Sequence, residues 1–253
     1  MFKKILLTLF LFPLVTFPAY SQFSIQDSVI SASLVYATYS VQFPGGDLSK
    51  LFGTNSSIGG GFMFKTRKNW LFGVEGNYIF GGTVKNQDSL LAKISTPDGY
   101  VIDANGYYAD ILFSERGFSV LGKFGKLFPV FSPNPNSGIT VIVGGGFLED
   151  KIRIHNPANT APQVFGDYRK GYDRLNSGAA VTGAIGYLFM SNTRLLKMYL
   201  GFEFTQTWTN FLRDRNFDTG LKDNSKLSTQ FYGIKFMWII PFYKRTPKEY
   251  YLY

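Results

Sequence analysis

The chain has 253 residues, no cysteine and a formal net charge of +9. Zero cysteines exclude a disulfide framework and thiolate chemistry, and the length fits one domain. Aromatic residues at 18% and 27 glycines, with little helix-period patterning, point to an all-β protein.

Residues 1–21 read as a secretory signal peptide. Lys3 and Lys4 form its charged start, Ile5 to Val15 its apolar stretch, and Ala19-Tyr20-Ser21 a small-x-small cleavage site. Pro13 and Pro18 interrupt the run and argue against an anchoring helix. No Cys follows the site, so a lipoprotein is not expected. No later stretch approaches the roughly 20 continuous apolar residues of a membrane helix.

Eight strands are expected in order. The first, Ser33 to Phe43, sets Val35, Ala37, Tyr39, Val41 and Phe43 against Tyr36, Thr38, Ser40 and Gln42. The second (57–65) and third (70–80) flank a short turn, Thr66-Arg67-Lys68-Asn69. The fourth (118–127) and fifth (139–147) flank a Pro- and Asn-rich turn over 128–138. The sixth covers 177–189 and the seventh 197–208. The last, 228–242, is the clearest: Tyr232, Ile234, Phe236, Trp238, Ile240 and Phe242 share one face, with Gly233, Lys235 and Met237 on the other. Large apolar groups outward and a lysine inward are what a transmembrane barrel requires.

Short connections (66–69, 128–138, 190–196) alternate with long ones (44–56, 81–117, 148–176, 209–227). The expected fold is therefore an all-β, eight-stranded antiparallel transmembrane β-barrel over 22–243, with long extracellular loops and short periplasmic turns. A basic aromatic periplasmic tail, 244–253, follows. Eight strands enclose room for side chains and no wide pore. The rival all-β reading, a soluble sandwich or lipocalin, inverts the faces and hides the aromatics inside.

The strand rhythm, the Ser21-Gln22 signal end and the aromatic last strand resemble the small eight-stranded outer-membrane barrels of the Bacteroidota, broadly OmpX/OmpW-like. The likeness covers the whole mature chain and implies outer-membrane residence. It departs at the end: such barrels commonly stop at the last strand's aromatic, whereas this chain runs on past Phe242.

Nine cations (Lys65, Arg67, Lys68, Lys126, Arg194, Lys197, Lys244, Arg245 and Lys248) map to the periplasmic rim or tail, opposed only by Glu249. They read as snorkelling to anionic headgroups, or as a docking face for an acidic partner. In the tail, Lys244, Arg245, Lys248, Tyr250, Tyr251 and Tyr253 are candidate partner contacts, as are Tyr168, Arg169, Tyr172 and Arg174 in the third long loop. Outer-membrane lipid is an expected partner and nucleic acid is not. Glu75, Lys123, Glu203 and Lys235 point inward near mid-strand. Buried charges need partners, so a structural cluster is expected, with an ion or proton path as the alternative.

No enzyme is expected. The single histidine, His155, lies in Arg-Ile-His-Asn-Pro, and Pro157 stands where the lipid A deacylase family carries a serine two positions after its His. Asp103-Ala-Asn105-Gly106 lacks a full calcium-loop register and reads as a hairpin turn, as does Thr96-Pro97-Asp98-Gly99. No cofactor or metal is expected. The function expected is a binding or accessory subunit of an envelope complex, in secretion or outer-membrane protein assembly. The alternative is a stand-alone structural barrel, or one binding a small hydrophobic ligand among inward Leu121, Ile142, Leu148 and Met237.

Overall fold

The computed structural model describes residues 28–191, 197–223 and 225–243. The expected signal peptide, Arg194 and the tail contacts Lys244, Arg245, Lys248, Tyr250, Tyr251 and Tyr253 lie outside them.

Eight strands form the chain: β1 (Ala32–Gly46), β2 (Asn55–Lys65), β3 (Trp70–Gly81), β4 (Leu112–Phe128), β5 (Gly138–His155), β6 (Asn176–Met190), β7 (Lys197–Phe211) and β8 (Lys226–Tyr243). Each pairs antiparallel with its neighbour, and β8 returns to β1 from Ala32↔Tyr243 to Gly46↔Thr229, closing a barrel. Period-2 alternation decides the faces: Trp238 is 51% exposed and its neighbour Met237 4%. The outward set is apolar on every strand, and its aromatics pair across strands. Near the short-turn end Trp70 stacks on Phe124 at 5.1 Å, with the Lys126 ammonium 4.6 Å from the Trp70 ring. No described helix is long and apolar enough to cross a membrane, which says nothing of a barrel.

β4 begins six residues earlier than the sequence suggests, and β5 runs eight residues later. In these extensions the outward positions become polar (Arg116, Lys151, Arg153) while Ile152 and Ile154 stay buried. The alternation continues there with polar groups on the outer face, so an apolar outward stripe does not reveal it.

Both ends are closed by the chain itself. At the short-turn end, residues 129–137 fold under the lumen. Asn136 Oδ1 accepts from the Ile30 N–H (3.0 Å) and from Lys65 Nζ (2.9 Å), and Asn134 Nδ2 donates to Met190 O at 2.8 Å. Lys65 is fully buried, with its second bond to Ile30 O at 3.1 Å. Lys65 and Lys197 (5% exposed) thus face inward at the short-turn end, correcting the expectation that they reach out from the rim to headgroups or to a partner. Each sits at an inward position of its strand, beside an outward apolar residue, Phe64 for Lys65 and Met198 for Lys197.

At the long-loop end the connections are ordered. A short helix α1 (Gln87–Leu91) and two hairpin turns, at 96–99 and 103–106, belong to the second loop. Both turns stand where the sequence placed them: Gly99 N–H donates to Thr96 O, and Gly106 N–H to Asp103 O. Asn156 Nδ2 donates to Asp110 O (2.8 Å) and Gln163 Nε2 to Ile102 O (3.1 Å), tying the second loop to the third. Leu48, Phe52, Leu91, Val101 and Val164 from the loops pack into one apolar core with Leu121, Leu148 and Phe231 from the upper lumen.

Candidate functional site

Strands β3, β4, β7 and β8 bring Glu75, Lys123, Glu203 and Lys235 together at the middle of the lumen. Register makes the room. Glu75 lies opposite Gly61, Lys123 opposite Gly73 and Gly144, Glu203 opposite Gly233, and Lys235 opposite Gly201. Each long side chain therefore crosses the barrel over a glycine instead of colliding with a neighbour.

Lys123 Nζ lies 2.6 Å from Glu203 Oε2 and 3.4 Å from Glu75 Oε1; Lys235 Nζ lies 3.0 Å from Glu203 Oε2 and bonds Glu75 Oε1. Each ammonium touches both carboxylates, so the four side chains form a closed ring of alternating charge. Glu75 also accepts from the Tyr36 hydroxyl (3.3 Å) and from Asn77 Nδ2 (2.8 Å), and Thr38 Oγ1 donates to Asn77 Oδ1 at 2.8 Å. A network satisfied in this way keeps charge in a low-dielectric interior. Two lumen voids border it, one above and one below, each about 10 Å³. A space of that size holds a water at most.

The third-loop residues expected as contacts divide. Tyr168 and Arg169 stay on the outside, in a 3₁₀ turn over Gly166–Gly171. Tyr172 is 5% exposed and meets Phe217 edge-on at 5.3 Å, and Arg174 pairs with Asp218. Both join the third loop to the fourth; Tyr172 is buried there, correcting its expected place on the surface, while Arg174 stays partly exposed. Burial, then the nearby Asp218 charge, pushes the Tyr172 hydroxyl pKa up.

Sequence reasoning passed over Lys151, Arg153 and Arg213. With Arg169 and Lys170 they line an outer-wall cavity of about 300 Å³. The signal was Lys151-Ile152-Arg153-Ile154, a strand alternation carrying charge where apolar residues stood lower down. His155 ends β5 exposed, with no hydrogen-bonded carboxylate or hydroxyl among the described residues. Asp103 Oδ1 accepts the backbone N–H groups of Asn105 (2.8 Å) and Tyr107 (3.0 Å). The Tyr107 bond leads in holding its carboxyl below the usual range. No group of three or more metal-ligating side chains forms among the described residues.

No protein-family model matches the chain, and no curated protein matches its sequence. Solved structures similar to it include neisserial surface protein A (TM-score 0.41, 10% identity, covering 81% of this chain and 96% of that one). The attachment invasion locus protein Ail of Yersinia pestis, in complex with the heparin analogue sucrose octasulfate, gives 0.39 and 13% over 83% and 99%. The outer membrane protein OprG of Pseudomonas aeruginosa gives 0.36 and 12% over 87% and 100%. Identities this low bear on fold alone. The closed eight-stranded barrel rests on its own strand pairing.

Proposed function

We propose that the protein is an integral outer-membrane barrel, exported by its leader, that acts as a binding or accessory subunit of an envelope complex in secretion or outer-membrane protein assembly. The continuous apolar outer face supports membrane residence: it needs a hydrocarbon surround, while the loops and turns at the two ends are polar. Short connections face the periplasm in this reading and long ones the exterior.

One observation carries the binding role. The long loops share a core with the upper lumen, so the crown is a fixed surface, and it displays Tyr100, Tyr107, Tyr108 and Tyr168 exposed. Tyr100 and Tyr108 stack at 4.6 Å. Ordered aromatics held in water are contact anchors of the kind that dominate interfaces. We propose no catalytic role for His155, which among the described residues is exposed and has no hydrogen-bonded nucleophile or orienting acid. The hydrophobic-ligand alternative is disfavoured, since Leu121 and Leu148 pack against loop residues and Ile142 and Met237 lie in the lower lumen core.

The test is co-purification from gently solubilised outer membranes. Three forms are compared: the full chain, a chain ending at Tyr243, and a Tyr100→Ser/Tyr108→Ser variant. A stoichiometric envelope protein lost from either altered form identifies the docking end. The same lone barrel from all three would sink the accessory role and leave a stand-alone barrel.

A further inference from the structure

β5 changes character along its outer face. Val141, Val143, Gly145 and Phe147 are followed outward by Glu149, Lys151, Arg153 and His155. From Phe147 to Lys151 is about 14 Å of strand at roughly 3.4 Å per residue. With a tilt of about 35–45°, Lys151 stands about 10 Å above the upper part of the apolar belt. On the membrane reading proposed above, that is headgroup depth.

At this level Lys151 and Arg153 meet Arg169 and Lys170 of the 3₁₀ turn, and Arg213 beyond β7, around the 300 Å³ cavity. One carboxylate lines it, Asp173, held by Arg213 through Nε–Oδ1 at 2.8 Å and a second Nη2–Oδ2 bond. Lys170 pairs with Asp167 at 2.6 Å on the exposed side. Glu149 stands one outward position below Lys151, and its charge acts on Arg213. Lys151, Arg153 and Arg169 have no carboxylate partner among the described residues. Three unneutralised cations held together repel one another, and a phosphate offers the forked acceptors that arginine matches.

The apolar wall lower on the same strand has a dent. Gly122 and Gly145 pair across strands, both outward, in a groove walled by Phe72, Val74, Phe124, Val143 and Val181. Its volume is about 640 Å³, and a Cβ at Gly145 would meet only Ala180 O, at 3.7 Å. A groove in a lipid-facing wall, on the strand that carries the basic cavity, has the shape of an acyl-chain seat.

We propose that this wall binds a phosphorylated lipid of the outer leaflet, its phosphate held by Lys151, Arg153 and Arg169 and an acyl chain lying in the groove at Gly122 and Gly145. The inference rests on membrane residence, and the first step of the test reports on that separately.

The mature chain is folded into phosphatidylcholine nanodiscs, and its heat-modifiable gel mobility is recorded. Failure to fold there tells against membrane residence and therefore also overturns the lipid site. Folded protein is then titrated with bisphosphorylated lipid A, with dephosphorylated lipid A and with inorganic phosphate, and bound lipid is read by native mass spectrometry. Wild type should retain the phosphorylated lipid over the dephosphorylated one. Lys151→Ala/Arg153→Ala/Arg169→Ala should weaken it roughly tenfold or more. Gly145→Leu, which keeps the basic cavity, should weaken lipid A about threefold and leave phosphate binding unchanged. Equal retention by wild type and the triple variant overturns the headgroup site. Full displacement of lipid A by inorganic phosphate, with Gly145→Leu matching wild type, assigns the cavity to a free anion and overturns the lipid.

Discussion

The lumen ring shows what single residues contribute. Glu75, Lys123, Glu203 and Lys235 form a neutral set in which removing any one member strands a charge. Lys235→Met should destabilise the refolded barrel by about 3–5 kcal/mol, read as a lowered urea midpoint; Lys235→Met with Glu203→Gln should recover most of it. The glycines offer a sharper contrast. A methyl at Gly146 would come 2.0 Å from Val120 O, whereas at Gly145 the nearest atom is 3.7 Å away. Gly146→Ala should therefore slow or block refolding, and Gly145→Ala should leave the melting temperature nearly unchanged. The inward charges were legible because one strand's alternation reveals its faces. Their glycine partners were not, since pairing register is a property of two strands. Asp103 adds a local pH effect. Its folded-state pKa is lowered, so the hairpin stabilisation is present above the unfolded value and lost as pH falls through the folded one. Amide exchange at Tyr107 should accelerate relative to its intrinsic rate between about pH 6 and pH 2.

Elements fail differently from residues. In the 129–137 turn one amide oxygen does two jobs: Asn136 Oδ1 accepts from both Ile30 N–H and Lys65 Nζ. Asn136→Ala should cost about 1.5–3 kcal/mol, the range of a hydrogen bond to a charged group, and should raise amide exchange near Ile30. A proline-rich turn predicts only a bend, and the sequence carries no sign that this bend tucks inward. The upper strand extensions escaped for the converse reason, because their outward residues are charged and read as loop. The third and fourth loops are joined by Tyr172 on Phe217 and by Arg174 on Asp218. Phe217→Ala should open this junction to protease near residues 171 and 217 while the barrel keeps its heat-modifiable mobility. The loss should be smaller than the about 3–5 kcal/mol of a fully buried phenylalanine, since Phe217 is only partly buried.

At the scale of the molecule the sequence was most informative about architecture and least about surface. All eight strands cover the positions where alternation placed them, with β4 and β5 running further at the long-loop end, and β8 closes on β1. Charge counted along loops hid its arrangement in space. The third long loop carries nearly balanced charge, yet β5 turns Asp150 inward, buried, and sets Lys151 and Arg153 outward. Only the paired sheet sorts them by side. The expected rim of cations is thinner than the sequence suggested, with Lys65 and Lys197 inside the barrel. The neutral ring, the voids of about 10 Å³ and the ordered crown leave no described passage through the centre. Planar-bilayer recordings should show no steady ion conductance at either polarity.

The seam between β1 and β8 sets a condition on assembly. It joins the first described strand to the last along the full 15 residues of β1, so neither edge finds its partner until the whole chain is present. On the membrane reading proposed above, any shorter stretch would carry two bare backbone edges into hydrocarbon, where each unmatched amide is costly. Closure of this seam is the latest long-range event the topology allows, so on that reading insertion and completion of the barrel become one step.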